Sequence, residues 1–295
     1  VIQIHLVTGK GGVGKSVLAL ALAKSFAAQG KKTLLAELGE LSFFASALDR
    51  KVHFSPELLL PGLDIAIWDA KNLLSEYILH LIKIPSLHKL FFENDLTQAL
   101  IDAAPSLKEL AILGKITSGP PRNVGPKLDY DVIVIDAFAS GHFLALMKAP
   151  LAMAETFKRG PMREQSLAIM EVLKNPKLAT YHLVFLPEEL SIEEGLELQE
   201  NLGSIVQKQQ TRLWLNQLIP NPRDLIDVLD SPQGVAWQAK YQQQIQIAQK
   251  LRESGSFLYE LPWIPSLNLE EITDFLKPYI TPSELSGEKS YFIRI

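Results

Sequence analysis

The chain has no cysteine among its 295 residues. That excludes disulfides, thiolate metal sites, iron–sulfur clusters and cysteine nucleophiles. It also lacks a strong charge imbalance: 29 Lys and Arg stand against 33 Asp and Glu, a formal net charge of −4. Nothing electrostatic therefore points to nucleic acid. No apolar run approaches the roughly 18–20 residues that a membrane span needs. With only 4 Met, a Met-rich adaptable surface is not evident. The first residues alternate and then break at Gly9, which is the pattern of a strand and not of a signal peptide. A soluble, cytoplasmic protein is the expectation, with Val1 a processed or trimmed first residue. What is present is ordinary for a globular chain, 47% hydrophobic and 21% charged, and long enough for one large α/β domain or two small ones.

Short β-rich runs alternate with helical stretches. Ile2–Val7, Thr33–Glu37, Leu63–Trp68, Val132–Asp136, Leu183–Leu186, Arg212–Asn216 and Phe257–Leu261 read as strands. Lys15–Gln29 reads as a helix buried on more than one side and ended by Gly30. Apolar strands separated by helices imply a mostly parallel sheet covered on both faces. The interval between Trp68 and Val132 is far longer than an ordinary crossover. It holds helical segments at 70–84 and 96–116 and a loop rich in Pro and Gly, and reads as a helical insertion at about 70–126. A shorter insertion is expected at about 152–174. Gln238–Arg252 keeps helical periodicity and reads as a helix with a solvated face. The tail 283–295 is expected to hold a last edge strand at Ser290–Ile295.

Gly9-Lys10-Gly11-Gly12-Val13-Gly14-Lys15-Ser16, followed by Val17, matches the phosphate-loop pattern G-x-x-x-x-G-K-[ST]. Glycines let backbone N–H groups curl round a phosphate, and the following helix turns its positive end toward the anion. Lys15 is expected to reach the β- and γ-phosphates of a nucleoside triphosphate, and Ser16 to ligate Mg²⁺. The chain sits in the right context, between a strand and a helix. A lysine directly after the first glycine marks the deviant Walker A form of this loop.

With that motif the chain resembles the ArsA and tail-anchored-protein-targeting (guided-entry) ATPases, within the larger SIMIBI-type P-loop group that includes MinD, ParA and the nitrogenase iron protein. Tyr130-Asp131-Val132-Ile133-Val134-Ile135-Asp136-Ala137-Phe138-Ala139-Ser140-Gly141-His142 is similar to the family's Y-D-x-x-x-x-D-T-A-P-T-G-H segment. Leu213-Trp214-Leu215-Asn216-Gln217-Leu218 is similar to its V-N-Q-L stretch, and Leu261-Pro262 to a later one. The resemblance implies an ATP/ADP- and Mg²⁺-dependent homodimer in which Lys10 touches the nucleotide of the other subunit. It implies that Asp136 ends its strand and holds a Mg²⁺-bound water, and that Gly141 and His142 lie in a loop sensing the γ-phosphate. Asn216, with Gln217, would read the adenine edge, and Pro262 would pack on the base. The segments 62–69, 74–77 and 104–110 resemble the family's helical subdomain, which in the targeting ATPases forms a groove for a client's membrane segment. Leu73, Leu74, Tyr77, Ile78, Leu81, Ile82 and Ile84 recur at helical spacing there, followed by Leu90, Phe91 and Phe92. They serve either such a groove or packing within the chain's own domain.

The pattern departs in two places. The family's water-orienting Asp aligns with Gly39, leaving Glu37 or Glu40 to substitute, or leaving turnover slow or absent. Without cysteine the chain forms neither a metalloid site nor the CxxC zinc tie of the targeting ATPases. The expected function is an ATP-hydrolysing dimeric switch for a protein client. A nucleotide-bound regulatory module that barely hydrolyses is the alternative. Small-molecule kinase or synthetase chemistry leaves Lys10 and the Asn216 segment unexplained.

Overall fold

A computed structural model describes residues 2–81, 105–119, 128–221, 232–253 and 258–280. The described strands are β1 (Gln3–Gly9), β2 (Thr33–Leu38), β3 (Glu57–Leu60), β4 (Leu63–Trp68), β5 (Val132–Ala139), β6 (Ala179–Phe185), β7 (Thr211–Leu218) and β8 (Leu258–Pro262). They form a single sheet in the order β3-β4-β2-β5-β1-β6-β7-β8. Every pairing is parallel except that of β3 with β4. The helices are α1 (Lys15–Ala28), α2 (Phe43–Ala47), α3 (Ala70–Leu81), α4 (Pro105–Ile116), α5 (Ser140–Thr156), α6 (Pro161–Leu173), α7 (Glu189–Gly203), α8 (Pro232–Glu253) and α9 (Leu269–Phe275).

Strand alternation divides the core in two. On one face Ile4, Leu6, Leu34, Ala36, Ile133 and Ile135 pack with residues of α3 to α8. On the other Val7, Leu35, Ile65, Val132 and Val134 pack with α1, Phe44 and Leu269. The α/β class and mostly parallel sheet expected from the sequence are what the chain adopts. α1 is buried along Leu18–Ala23 and Phe26 because its apolar residues surround the helix, and Gly30 follows it at φ 78°.

Several boundaries differ from the sequence expectation. β3 escaped it because three consecutive leucines between Pro56 and Pro61 lack alternation, and two of them, Leu58 and Leu60, face solvent on the edge strand. β6 begins earlier, at Ala179, because Tyr181 and His182 are buried with partners. The Tyr181 hydroxyl donates to the Leu173 carbonyl at 2.8 Å. His182 lies between Trp214, whose Nε1 donates to its Nδ1 at 2.9 Å, and His5, whose Nδ1 is 3.0 Å from its Nε2. An indole N–H only donates, so Nδ1 of His182 accepts, its Nε2 carries the proton, and Nδ1 of His5 accepts in turn.

In α3, Leu73, Leu74 and Tyr77 are buried in the core shared with the sheet, so these three serve the chain's own packing. The Lys115 ammonium of α4 donates to both carboxylate oxygens of Glu76 on α3, at 2.7 and 2.8 Å, above the rings of Phe54 and Trp68. The 152–174 interval contains the end of α5 and the whole of α6. The helical residues expected at 82–84 and 96–104, Leu90 to Phe92, most of the loop at 118–126 and the strand at Ser290–Ile295 lie outside the described residues. Among the described residues no helix is long and apolar enough to cross a membrane.

Candidate functional site

The chain leaves β1 toward β2 on one side of the sheet and leaves β5 for β6 on the other. Ligands of open α/β sheets bind at the carboxyl ends of strands where the order reverses in this way. The loop Gly9–Ser16 lies there, directly preceding α1.

Two of its glycines are dictated by close approach. A Cβ on Gly9 would stand 2.4 Å from the carbonyl oxygen of Val184 on β6. A Cβ on Gly14, whose φ is 94°, would stand 2.3 Å from Nδ2 of Asn216. That amide donates to the Val13 carbonyl at 2.9 Å, and its Oδ1 accepts from the Gln217 amide at 2.9 Å. Asn216 therefore braces the phosphate loop. Gln217 is exposed with φ 62°, and the β7–β8 register shifts between Leu215 and Leu218. Pro262 lies on β8 opposite Leu218.

Gly11 and Gly12 are exposed, Val13 is buried, and Ser16 and Val17 are half-buried at the start of α1. Lys15 folds back across the loop and donates to the Lys10 carbonyl at 2.9 Å. Burial lowers the pKa of its ammonium, and the nearby Asp136 carboxylate partly restores it. Lys10 turns outward, and its Nζ lies 2.7 Å from Glu194 Oε1 on α7 of the same chain.

Asp136 is the electrostatic centre. It is buried, the Ser16 hydroxyl hydrogen-bonds to it, and its buried Oδ1 has no hydrogen-bond partner among the described residues. Burial pushes its pKa up to about 7; Ser16 and Lys15 oppose the shift, and Glu37 adds to it. Glu37 is its partner in register on β2. A buried carboxylate oxygen that lacks a donor calls for a cation or a cation-bound water. The Ser16 hydroxyl beside it makes this a hard oxygen donor set that fits Mg²⁺.

The strand does not end at Asp136, as the resemblance implied, but runs on to Ala139. The Thr8 hydroxyl donates to the Phe138 carbonyl at 2.8 Å, tying the extension to β1. Gly141 and His142 consequently lie not in a loop but in the first turn of α5. Both are exposed, and the His142 ring stacks on Phe138 at 3.8 Å with an interplanar angle of 10°.

The two candidate substitutes for the aligned Asp differ. Glu37 is buried and accepts from the Ser42 hydroxyl at 2.5 Å and from the Phe43 amide at 2.6 Å, so its carboxylate anchors the start of α2. Burial raises its pKa, against those hydrogen bonds. Glu40 is exposed. The Gly39 amide donates to the Trp68 carbonyl at 3.2 Å. Sequence reasoning missed Glu194, which is one glutamate among several on α7, and Phe138, whose only signal was its departure from the family's proline-containing segment.

Residues 2–165 match the family model described as anion-transporting ATPase. ATPase BagA of Mycobacterium tuberculosis is 31% identical over 212 residues, which cover 69% of this chain and 62% of that protein. A putative arsenical pump-driving ATPase of Halobacterium salinarum is 26% identical over 232 residues, covering 72% of this chain and 35% of the relative. ATPase ASNA1 homolog 2 of Paramecium tetraurelia is 30% identical over 152 residues, covering 50% and 44%. The chain thus spans less than two thirds of the length of these relatives. The match runs from β1 through the phosphate loop, Glu37 and Asp136 into α6, so it covers the phosphate loop and both buried carboxylates though not Asn216 or Pro262, and the chain belongs to the anion-transporting ATPase family.

Proposed function

We propose that the chain is a Mg²⁺- and ATP-dependent switch that hydrolyses ATP slowly, works as a cytoplasmic homodimer and couples nucleotide state to binding of a protein client. The observation that carries this reading is Asp136: a buried carboxylate with one oxygen unpaired among the described residues, beside Ser16 and within the field of Lys15. Ser16 would hold the cation directly and Asp136 through a water. Bound Mg²⁺ would supply neutralisation of charge on the phosphate oxygens.

The loop amides and Lys15 hold the phosphates. Lys15 exchanges its bond to the Lys10 carbonyl for phosphate oxygens. Asn216 keeps its grip on Val13 and offers its other N–H to the adenine edge, while Pro262 packs on the base. Lys10 serves the nucleotide of the second subunit. Glu37 and Glu40 are the carboxylates nearest Gly39 in the chain, and one of them would orient the attacking water. The helical elements at about 70–126 and 152–174 supply the surface for a client.

Purified protein should release phosphate from ATP with Mg²⁺, and Lys15→Ala should abolish that activity. Absence of hydrolysis in the wild type would overturn the catalytic part. A regulatory module with little hydrolysis is favoured instead by one observation: the Glu37 carboxylate is committed to Ser42 and Phe43. Comparing wild type with Lys10→Ala separates the two. A catalytic switch loses turnover, whereas a regulatory module loses only ATP-dependent dimer closure.

A further inference from the structure

Two adjacent residues of β6 set the phosphate loop and α7 against each other. Val184 presents its carbonyl oxygen 2.4 Å from where a Cβ on Gly9 would stand. Phe185 fills the place a Cβ on Gly195 would take, with ring carbons 1.8 and 2.0 Å from it. Lys10 directly follows the first of these glycines, and Glu194 directly precedes the second. The close approach of both segments to one strand is what brings Lys10 Nζ to 2.7 Å from Glu194 Oε1. From Glu188 to Glu200, α7 and its N-cap carry Glu188, Glu189, Glu193, Glu194, Glu197 and Glu200 and no basic residue. No cation on that helix competes with Lys10 for Glu194.

We propose that Glu194 is a positioning residue that holds Lys10 within its own subunit until ATP-driven closure releases it to the second subunit. This rests on the reading that Lys10 acts in trans. Both side chains are a little under half exposed, at 44% and 43%. Pairs of that kind contribute little and are screened by salt. The contact is therefore strong enough to bias the open form and weak enough for a triphosphate to outcompete.

The test uses ATP turnover as a function of protein concentration, at low salt and at about 0.5 M salt. Removing the charge with Glu194→Gln should lower the protein concentration giving half-maximal turnover by about two- to five-fold. The shift should appear in that concentration dependence and not in the rate reached at high protein concentration. It should shrink at high salt, and Glu194→Asp should restore part of the wild-type behaviour. A second readout needs no activity. Carbodiimide cross-linking of a mixture of unlabelled and isotope-labelled protein should give an intrachain Lys10–Glu194 isopeptide link without nucleotide. The yield should fall when a non-hydrolysable ATP analogue and Mg²⁺ are added. Superimposable concentration curves overturn the proposal while leaving Lys10 in its trans role, and an unchanged link with the analogue overturns the release of Lys10 on closure. Full turnover by Lys10→Ala overturns that role and the proposal together.

Discussion

Glu37 and Asp136 are neighbours in register on adjacent strands, and both are buried carboxylates. Their surroundings differ in one respect. Glu37 is filled, with the Ser42 hydroxyl and the Phe43 amide on its two oxygens. Asp136 keeps one oxygen without a donor among the described residues. Burying an unpaired charge is expensive, and the raised pKa of Asp136, about 7, records that cost. A chain keeps such a group where a ligand completes it. The filled carboxylate is thus a structural anchor for α2, and the unfilled one marks the site. The same contrast separates Asp136 from the His5–His182–Trp214 chain, which is equally buried but whose hydrogen bonds run continuously across three strands.

The largest effect should come from breaking this contrast at its functional end. Asp136→Asn should cut Mg²⁺-dependent turnover by about a hundred-fold or more, measured by phosphate release. The same variant should be more stable than wild type when metal and nucleotide are absent. The sign follows from a folded pKa above the ordinary 3.8. The stabilisation from the protonated Asp136 is fully present below that value and is lost as pH rises through about 7. The stability gap between Asp136→Asn and wild type in urea melts should therefore be near zero at low pH and grow to a few kcal/mol at neutral pH.

Next in size is the filled histidine chain. His182→Leu orphans the Trp214 indole N–H and should cost about 1–3 kcal/mol in urea unfolding. Burial lowers the pKa of both histidines, that of His5 from 6.5 to about 3, with the charge of Arg212 lowering it further. Their contribution is present above 6.5 and lost as pH falls toward the folded value, so wild type should weaken on acidification through that window more than a His5/His182 double variant does.

Glu37→Ala removes the anchor of α2 and should cost about 1–2 kcal/mol, with turnover falling only a few-fold. A loss of turnover comparable to that of Asp136→Asn would instead make Glu37 the group that orients water. Glu40→Gln should be the mildest change in stability, within about 0.5 kcal/mol, but should lower turnover more than Glu37→Ala does, because Glu40 is then the carboxylate left to orient water.

The phosphate loop was legible because its requirement is local: glycine conformations and one lysine at fixed spacing. The central strands were legible because strands buried on both faces read as apolar runs. What escaped were features set by contacts across the sheet. β3 exists because β4 offers an edge, although its own residues do not alternate. The start of β6 was hidden because Tyr181 and His182 are polar by type and buried by partnership. Gly141 and His142 fall in a helix because β5 runs on to Ala139, level with Gly9 at the end of β1, through a register shift that no motif records. The pairing of Gly14 with Asn216 joins two motifs far apart in the chain through one missing Cβ. Glu194 was one acidic residue on an acidic helix until Phe185 and Gly195 fixed its position.

The central claim is that the open valence of Asp136 belongs to a metal-bound nucleotide. Calorimetric titration with ATP, with and without Mg²⁺, on wild type and Asp136→Asn tests it most directly. Wild type should bind ATP at least about ten-fold more tightly with Mg²⁺. Asp136→Asn should lose that gain while keeping its Mg²⁺-free affinity. A variant that retains the full gain would contradict the account.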